Sequence, residues 1–409
     1  MTGRAAAAVP ACLAFLLLAL IPVSGAHAKR LVSAPSAILV QPETGDVVYA
    51  RSPYRKRPMA STAKMMTALV SVERASLGRR FRVVSYPAQS AESLAGLQAG
   101  EQITNADLLR ALMLASANDA AATLAVGVGG STSRFVQMMN RRAAAAGLTS
   151  THFANPVGLD GPRAYSTARD LAKLGQLVRR NAFLRETVDR PKATIRSGSR
   201  RITVYNRDTL VGQVPWINGI KTGHTQKAGY LLVGSGKRRG VSLVSVVMGE
   251  PSEAARNSET LKLMRYGFAR YRAVTVARRG AVAARIPVAL QGTTVPVAPA
   301  RTLRVVARKG EKVVVVRRGL PSELSGPVAR GTRVGEVVAR RRGRVAGRVA
   351  LVTTEPVAAA TLWQRFTGTP GAIAGAVIAV AAIAAGATLL ASRRRRSHAR
   401  RPSGRRRPA

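Results

Sequence analysis

Residues 57–70 read RPMASTAKMMTALV, a largely apolar segment that contains Lys64. If the segment is helical, Ser61 and Lys64 stand three residues apart, so their side chains lie on one face of the helix. Any Ser-x-x-Lys pattern is also compatible with an amphipathic helix whose lysine reaches water. The remainder of the chain has to distinguish a surface lysine from a catalytic pair.

Both ends of the chain predict export and membrane anchoring. Residues 1–28 combine a basic start, an apolar stretch and small residues near the end, which is typical of a cleaved secretory signal peptide. Residues 371–391 carry no charge and are long enough for a transmembrane helix. The arginine-rich residues 392–409 follow, and the positive-inside rule places such a tail in the cytoplasm. We therefore predict a single-pass protein of the cell membrane whose bulk lies outside.

The chain is strongly basic, with 65 lysines and arginines against 19 aspartates and glutamates and a net charge of +46. Outside a membrane, the polyanions within reach are anionic polymers of the cell envelope and lipid headgroups. Aromatic residues for base stacking make up only 4% of the chain, which argues against nucleic acid as a partner. We predict contact with the anionic cell envelope and no nucleic-acid partner.

Hydrophobic periodicity divides the exported part into two domains. Residues 29–273 begin with a hairpin over 36–51, continue with helical segments, and end with three strands and a helix over 253–270. This order predicts an α+β fold in which the first strands pair with the last ones. Residues 274–357 are valine-rich with regular glycines and prolines, which predicts a small all-β domain that serves as a spacer or binds a partner. Residues 358–370 are predicted to be a linker.

The histidines and the cysteine leave few alternatives to a lysine base. The one cysteine, Cys12, lies in the predicted signal peptide, and only His152 and His224 would lie outside the membrane, far apart in the sequence. We therefore predict no metal and no cofactor. A Ser-His-Asp triad stays open, but Lys64 offers another base. Desolvation and a second cation nearby would lower its pKa enough for it to accept the proton of Ser61.

Two further motifs follow in the order that this chemistry requires. SAN, at residues 116–118, lies where one predicted helix ends and the next begins, and KTG, at residues 221–223, lies on a predicted strand. Ser-x-x-Lys, Ser-x-Asn and Lys-Thr-Gly in this order are the signature of penicillin-binding proteins and class A β-lactamases.

With these motifs and the stretches NPVGLDGP, YSTARDLAKLG and KTGHTQKAGY, residues 31–273 resemble the D-alanyl-D-alanine carboxypeptidases, the low-molecular-mass penicillin-binding proteins. The resemblance implies the penicillin-binding and β-lactamase-like transpeptidase fold, an antiparallel sheet flanked by helices. It also implies a serine peptidase that removes the terminal D-alanine from peptidoglycan pentapeptide stems through an acyl-enzyme on Ser61, with β-lactams as covalent inhibitors. Such enzymes often carry a β-rich second domain and a C-terminal anchor, frequently an amphipathic helix rather than a span.

The resemblance also implies roles for nine residues. Ser61 is the nucleophile, Lys64 is its base, and the backbone N–H groups of Ser61 and His224 form the oxyanion hole. Thr222 and Arg256 bind the terminal carboxylate of the substrate. The catalytic set is Ser61, Lys64, Ser116, Asn118 and Lys221. The substrate-binding set is Thr222, Gly223, His224 and Arg256.

Three alternatives differ in how well the residues support them. A class A β-lactamase uses a glutamate between the second and third motifs. The glutamate in that interval, Glu186, lies in ETVDR and does not match the expected Glu-x-x-Leu-Asn, which disfavours a β-lactamase. A D,D-endopeptidase that cleaves peptidoglycan cross-links shares the same motifs and stays open. A non-catalytic, basic adaptor that binds the cell wall is disfavoured by the intact set of three motifs.

Overall fold

The computed structural model describes residues 2–3, 31–89, 91–367 and 371–398. Most of the predicted signal peptide and the end of the arginine tail lie outside these residues. In chain order the first domain contains β1 (Ser36–Gln41), β2 (Asp46–Arg51), α1 (Lys64–Arg74), β3 (Arg80–Arg82), β4 (Gln102–Thr104), α2 (Asn105–Arg110), α3 (Asn118–Gly129), α4 (Thr132–Ala145), α5 (Ala168–Arg180), α6 (Ala182–Val188), β5 (Lys192–Ser197), β6 (Arg200–Tyr205), β7 (Ile217–Thr225), β8 (Gly229–Arg238), β9 (Val241–Glu250) and α7 (Glu253–Phe268).

The central feature of this domain is a five-stranded antiparallel sheet in the order β2-β1-β9-β8-β7. The N-terminal hairpin therefore joins the sheet of the three late strands through the pairing of β1 with β9, as predicted. Side chains alternate along β9, so that Val244 and Val246 join the core shared with α1 and α5, while Leu243 and Val247 join a second core that contains α7 residues. Both faces of the sheet are covered, and the predicted α+β fold with helices flanking the sheet is confirmed.

A second sheet in this domain was not predicted. It has four strands in the order β3-β4-β5-β6, and Ile103 in β4 pairs with Ser197 in β5 across a large sequence separation. Strands β3 and β4 contain three residues each, which is too short for an alternating pattern to stand out, whereas β5 and β6 contain six residues each and were missed despite that length. The prediction of helices alone between the hairpin and the late strands was therefore wrong.

The second domain contains only strands. They are β10 (Tyr271–Ala277), β11 (Ala284–Pro287), β12 (Thr294–Pro299), β13 (Leu303–Arg308), β14 (Val313–Arg318), β15 (Arg333–Arg341) and β16 (Arg344–Thr353). β10 pairs with β13, and the others form a sheet in the order β11-β12-β16-β15-β14. The predicted boundary after residue 273 falls inside β10.

Contacts at this boundary join the two domains. The Tyr271 hydroxyl donates to the Asp46 carboxylate at 2.7 Å, and Arg308 Nε donates to the same carboxylate at 3.2 Å. Tyr271 and Val306 also pack in the apolar cluster of the first domain that contains Leu39. Polar and apolar contacts therefore hold the β domain against the β1–β2 hairpin.

The C-terminal part of the chain is helical. A short helix, α8 (Leu362–Thr367), precedes α9 (Ala372–His398). Within the described residues, α9 contains the one segment, Ile373–Arg393, that is long and apolar enough to cross a membrane. Its apolar side chains are exposed, as expected of a helix that packs against no protein core.

Candidate active site

Ser61 and Lys64 meet where α1 begins. Ser61 lies in a 3-10 turn, Ala60–Ala63, and Lys64 is the first residue of α1. Lys64 is fully buried, and its Nζ donates to Ser61 Oγ at 2.9 Å and to the carbonyl oxygen of Val157 at 2.5 Å. The structure therefore rules out the surface-lysine interpretation, because the amine is enclosed and touches the serine hydroxyl.

A loop over residues 155–158, part of the NPVGLDGP stretch, holds the 3-10 turn in place. Ala60 has a positive φ of 46°, which is uncommon for a residue with a side chain. Gly158 lies directly against it, since a Cβ atom there would come within 2.1 Å of the Ala60 carbonyl oxygen. Thr67 Oγ1 donates to the carbonyl oxygen of Pro156 at 2.7 Å. The loop thus supports the strained residue that precedes Ser61.

The electrostatics of the site favour a neutral lysine. Burial, followed by the charge of Lys221, lowers the pKa of Lys64 well below its ordinary value, although Glu92 and Asp119 act in the opposite direction. Lys221 is also buried, and burial with the charges of nearby arginines lowers its pKa to about 7. The site therefore holds two amines that give up protons far more readily than lysines in water.

Ser116 and Asn118 are placed by an irregular helix junction. Thr104 caps α2 by accepting a hydrogen bond from the N–H of Asp107 at 3.1 Å. The helix then widens into a π-helical turn, Ala111–Ala115, which ends at Ser116 with φ of 61°. The following helix, α3, begins at Asn118. This break buries both polar side chains of the motif at the junction.

The KTG motif lies on β7, an edge strand of the central sheet. Gly223 lies against the 3-10 turn, since a Cβ atom there would be 3.3 Å from the Ser61 backbone nitrogen. Lys221 is buried, and its Nζ donates to the carbonyl oxygen of Thr222 at 3.1 Å. The structure thus brings the first and third motifs together, with the free edge of β7 beside Ser61.

Neither His152 nor His224 makes a side-chain hydrogen bond to Ser61 or Lys64 among the described residues. The His224 ring is exposed and stacks on Tyr230, with ring centroids 4.0 Å apart. His152 Nδ1 makes a hydrogen bond of 2.8 Å with the carbonyl oxygen of Arg163. Among the described residues, no three side chains of His, Cys, Asp or Glu form a group that could hold a metal ion.

Arg256 lies on α7 and is already paired. It is 3% exposed, and its Nη2 donates to Glu253 and to Asn257 at 2.9 Å each. Its charge helps to lower the pKa of Lys221. An incoming carboxylate would therefore compete with Glu253 for this guanidinium, a partner that sequence reasoning did not anticipate.

Residues 23–252 match the family described as peptidase S11, D-alanyl-D-alanine carboxypeptidase. The chain belongs to this family. The D-alanyl-D-alanine carboxypeptidase DacD of Escherichia coli (strain K12) is 30% identical to it over 357 residues, which cover 82% of this chain and 90% of the relative.

Solved structures of similar proteins support the same family. Penicillin-binding protein 5 from Haemophilus influenzae is 28% identical with a TM-score of 0.57, over 80% of this chain and 98% of that one. The DD-transpeptidase of Streptomyces K15 is 31% identical with a TM-score of 0.54, over 58% of this chain and 98% of that one. The match to the Streptomyces K15 enzyme therefore covers a part of this chain about as long as its first domain.

Sequence reasoning missed two acidic residues near the site of this S11 family member. Glu92 accepts a hydrogen bond from Asn118 Nδ2, 26 positions away in the sequence. Asp208 is buried, with an Oδ2 atom that has no hydrogen-bond partner among the described residues, and burial raises its pKa to about 6 despite the charges of Arg256 and Lys221. No motif surrounds either residue, so the sequence contained no local signal for them.

Proposed function

We propose that this protein is a serine D-alanyl-D-alanine carboxypeptidase that removes the terminal D-alanine from peptidoglycan pentapeptide stems. The observation that carries the proposal is the 2.9 Å hydrogen bond between Lys64 Nζ and Ser61 Oγ, made by a fully buried amine. Membership of the peptidase S11 family supports the substrate class.

In the proposed reaction, the neutral Lys64 amine takes the Ser61 hydroxyl proton while Oγ bonds to the carbonyl carbon of the penultimate D-alanine. The bond from this carbon to the nitrogen of the terminal D-alanine then breaks. The leaving nitrogen takes the proton that Lys64 held, and D-alanine departs. Water next attacks the carbonyl carbon of the ester. The bond from this carbon to Ser61 Oγ breaks, one proton of the water passes to Oγ, and the shortened stem is released as a carboxylic acid.

The other predicted residues would support these steps. Ser116, Asn118 and Lys221 would complete the network of hydrogen bonds around the proton transfer. The N–H groups of Ser61 and His224 would stabilise the oxyanion, which the free edge of β7 next to the 3-10 turn supports. Thr222, on the same strand, would act with Arg256 on the terminal carboxylate, and Gly223 would allow the strand to approach Ser61.

The partners and the location are also part of the proposal. β-Lactams would acylate Ser61, because the strained lactam resembles the D-alanyl-D-alanine amide. The α9 helix would anchor the protein as a single span, with the catalytic domain outside and the arginine tail in the cytoplasm. The net charge of +46 would favour contact with the anionic envelope.

The decisive experiment incubates the purified protein, solubilised in detergent, with a pentapeptide that ends in D-Ala-D-Ala. We expect released D-alanine and a tetrapeptide, and we expect neither from the Ser61→Ala variant, which should also lose labelling by a fluorescent penicillin. Persistent labelling of Ser61→Ala would show that the nucleophile is a different residue. Cleavage of cross-linked muropeptides without D-alanine release would assign a D,D-endopeptidase instead.

A second candidate reaction is transpeptidation, favoured by the similarity to the DD-transpeptidase of Streptomyces K15. Both reactions form the same acyl-enzyme and release D-alanine, and they differ in whether water or an amine attacks the ester. Adding glycylglycine to the assay separates them, because a transpeptidase would convert the stem into the glycylglycine adduct rather than the tetrapeptide.

A further inference from the structure

A loop over residues 91–97 is tied to the first turn of α3. The N–H of Ala95 donates to both carboxylate oxygens of Asp119 at 3.1 Å, and the N–H of Asn118 donates to the carbonyl oxygen of Ser93 at 2.8 Å. The loop thus lies against the second motif, with Glu92 facing the Asn118 side chain.

The Glu92 carboxylate collects three donors. Asn118 Nδ2 and the Tyr86 hydroxyl both donate to Oε2, and the N–H of Gln89 donates to Oε1 at 3.3 Å. Partial burial opposes ionisation, but the hydrogen bonds from Tyr86 and Asn118 prevail and hold the pKa of Glu92 below its ordinary value. Glu92 is therefore an ionised carboxylate at neutral pH, and it can only accept hydrogen bonds.

This restriction determines how the Asn118 amide is turned. An asparagine amide has a donor end and an acceptor end, and only the donor end can bond to an ionised carboxylate. With Nδ2 bonded to Glu92, the Oδ1 atom is buried and has no hydrogen-bond partner among the described residues. A buried acceptor without a donor is costly, so this oxygen is available to a donor in the occupied site.

We propose that Glu92 is a positioning residue of the active site, which fixes the amide orientation of Asn118 and so presents Oδ1 as an acceptor for an N–H or ammonium donor when substrate is bound. This inference rests on the proposed function. It assigns Glu92 a role through Asn118, distinct from merely closing the loop.

The variant that tests this is Glu92→Gln, because a glutamine amide can pair with either end of the asparagine amide and no longer selects one orientation. The rate of acylation by a fluorescent penicillin should fall about 10-fold to 100-fold, the usual effect of losing a hydrogen bond to a charged group. The rates of the variants are compared at pH values above which the rate no longer rises, where Lys64 is neutral in each variant. This comparison removes the influence of the Glu92 charge on the pKa of Lys64.

Tyr86→Phe is the matched control. It removes the other hydrogen bond to the same carboxylate oxygen, together with the interaction of that hydroxyl with Asn118, and leaves the hydrogen bond between Glu92 and Asn118 in place. Its acylation rate is expected to stay near that of the unmodified protein, with thermal unfolding measured for every variant. An equal loss in Tyr86→Phe and Glu92→Gln would reduce Glu92 to a loop-closing role and overturn the inference.

A double-mutant cycle with Asn118→Ala provides the readout that a structural role would not give. Adding Glu92→Gln to Asn118→Ala should cause little further loss, because the amide that Glu92 orients is already gone. The same loss in both backgrounds would overturn the inference alone, as would an unchanged rate in Glu92→Gln. No acylation of the unmodified protein would overturn the proposed function and this inference with it.

Discussion

Lys64 combines two properties that a general base for Ser61 needs, contact with the hydroxyl and a pKa lowered by burial and by Lys221. Since the pKa is lowered, the neutral amine is present at lower pH than in an ordinary lysine. The acylation rate of the unmodified protein should therefore rise with pH through this lowered pKa and level off well below the usual range for lysine.

Lys64→Arg should abolish the rise of the acylation rate with pH, because a guanidinium keeps its proton at ordinary pH. We expect acylation by penicillin to fall by about two to four powers of ten, the usual contribution of general-base catalysis. Circular dichroism and thermal unfolding serve as the control for folding. A folded Lys64→Arg protein with near-native acylation would assign the base to another residue.

Among individual residues, the sequence indicated those that lie in motifs and missed those whose contacts are distant in the chain. Lys64 and Ser61 are neighbours on a turn, so their spacing indicates their contact. Glu92 reaches Asn118 only because its loop folds back onto α3, and the pairing of Arg256 with Glu253 depends on how α7 packs. Such contacts belong to the tertiary structure, and no local pattern encodes them.

Among the elements, the longest strands of the first domain were predicted, whereas the three-residue strands β3 and β4 and the six-residue strands β5 and β6 were missed. Strands β7, β8 and β9 contain nine or ten residues each and were recognised, whereas β3 and β4 contain three. The π-helical turn before Ser116 was also missed, because its residues, ALMLA, suit an ordinary helix equally well.

Strand β7 offers a test of how closely an element must approach the nucleophile. A Cβ atom at Gly223 would lie 3.2 Å from Ala60 Cβ and 3.3 Å from the Ser61 nitrogen, so Gly223→Ala should push the strand and the 3-10 turn apart. We expect acylation to fall about 10-fold to 100-fold, the scale of effect that a displacement of reacting groups produces.

Gly234→Ala on β8 is the matched control for this change. Its Cβ atom would meet Ser245 Oγ at 3.1 Å and Thr260 Cγ2 at 3.2 Å, which is similar crowding in the packed sheet, away from the turn. It should lose comparable stability, about 1–3 kcal/mol for overpacking, while it keeps its acylation rate. Equal acylation losses in the two variants would assign the Gly223 effect to general destabilisation.

For the whole molecule, the proposed orientation predicts the outcome of protease treatment of intact protoplasts. The ectodomain should be removed, while an epitope placed after Arg407 should survive, because the arginine tail would lie in the cytoplasm. Permeabilised protoplasts provide the control, in which the epitope is also lost. Loss of the epitope from intact protoplasts would reverse the orientation.

If the proposed membrane anchor holds, the junction between the two domains has a mechanical consequence for the enzyme. Hydrogen bonds among Asp46, Tyr271 and Arg308 join the β1–β2 hairpin to the β domain. Tyr271 also packs into the apolar cluster of the first domain that contains Leu39. These contacts oppose bending between the first domain, which contains Ser61, and the β domain, in which Val328 pairs with Val357. With the proposed anchor, the depth of wall that Ser61 can reach would be set by the length of the two joined domains and by the number of residues between Val357 and α9.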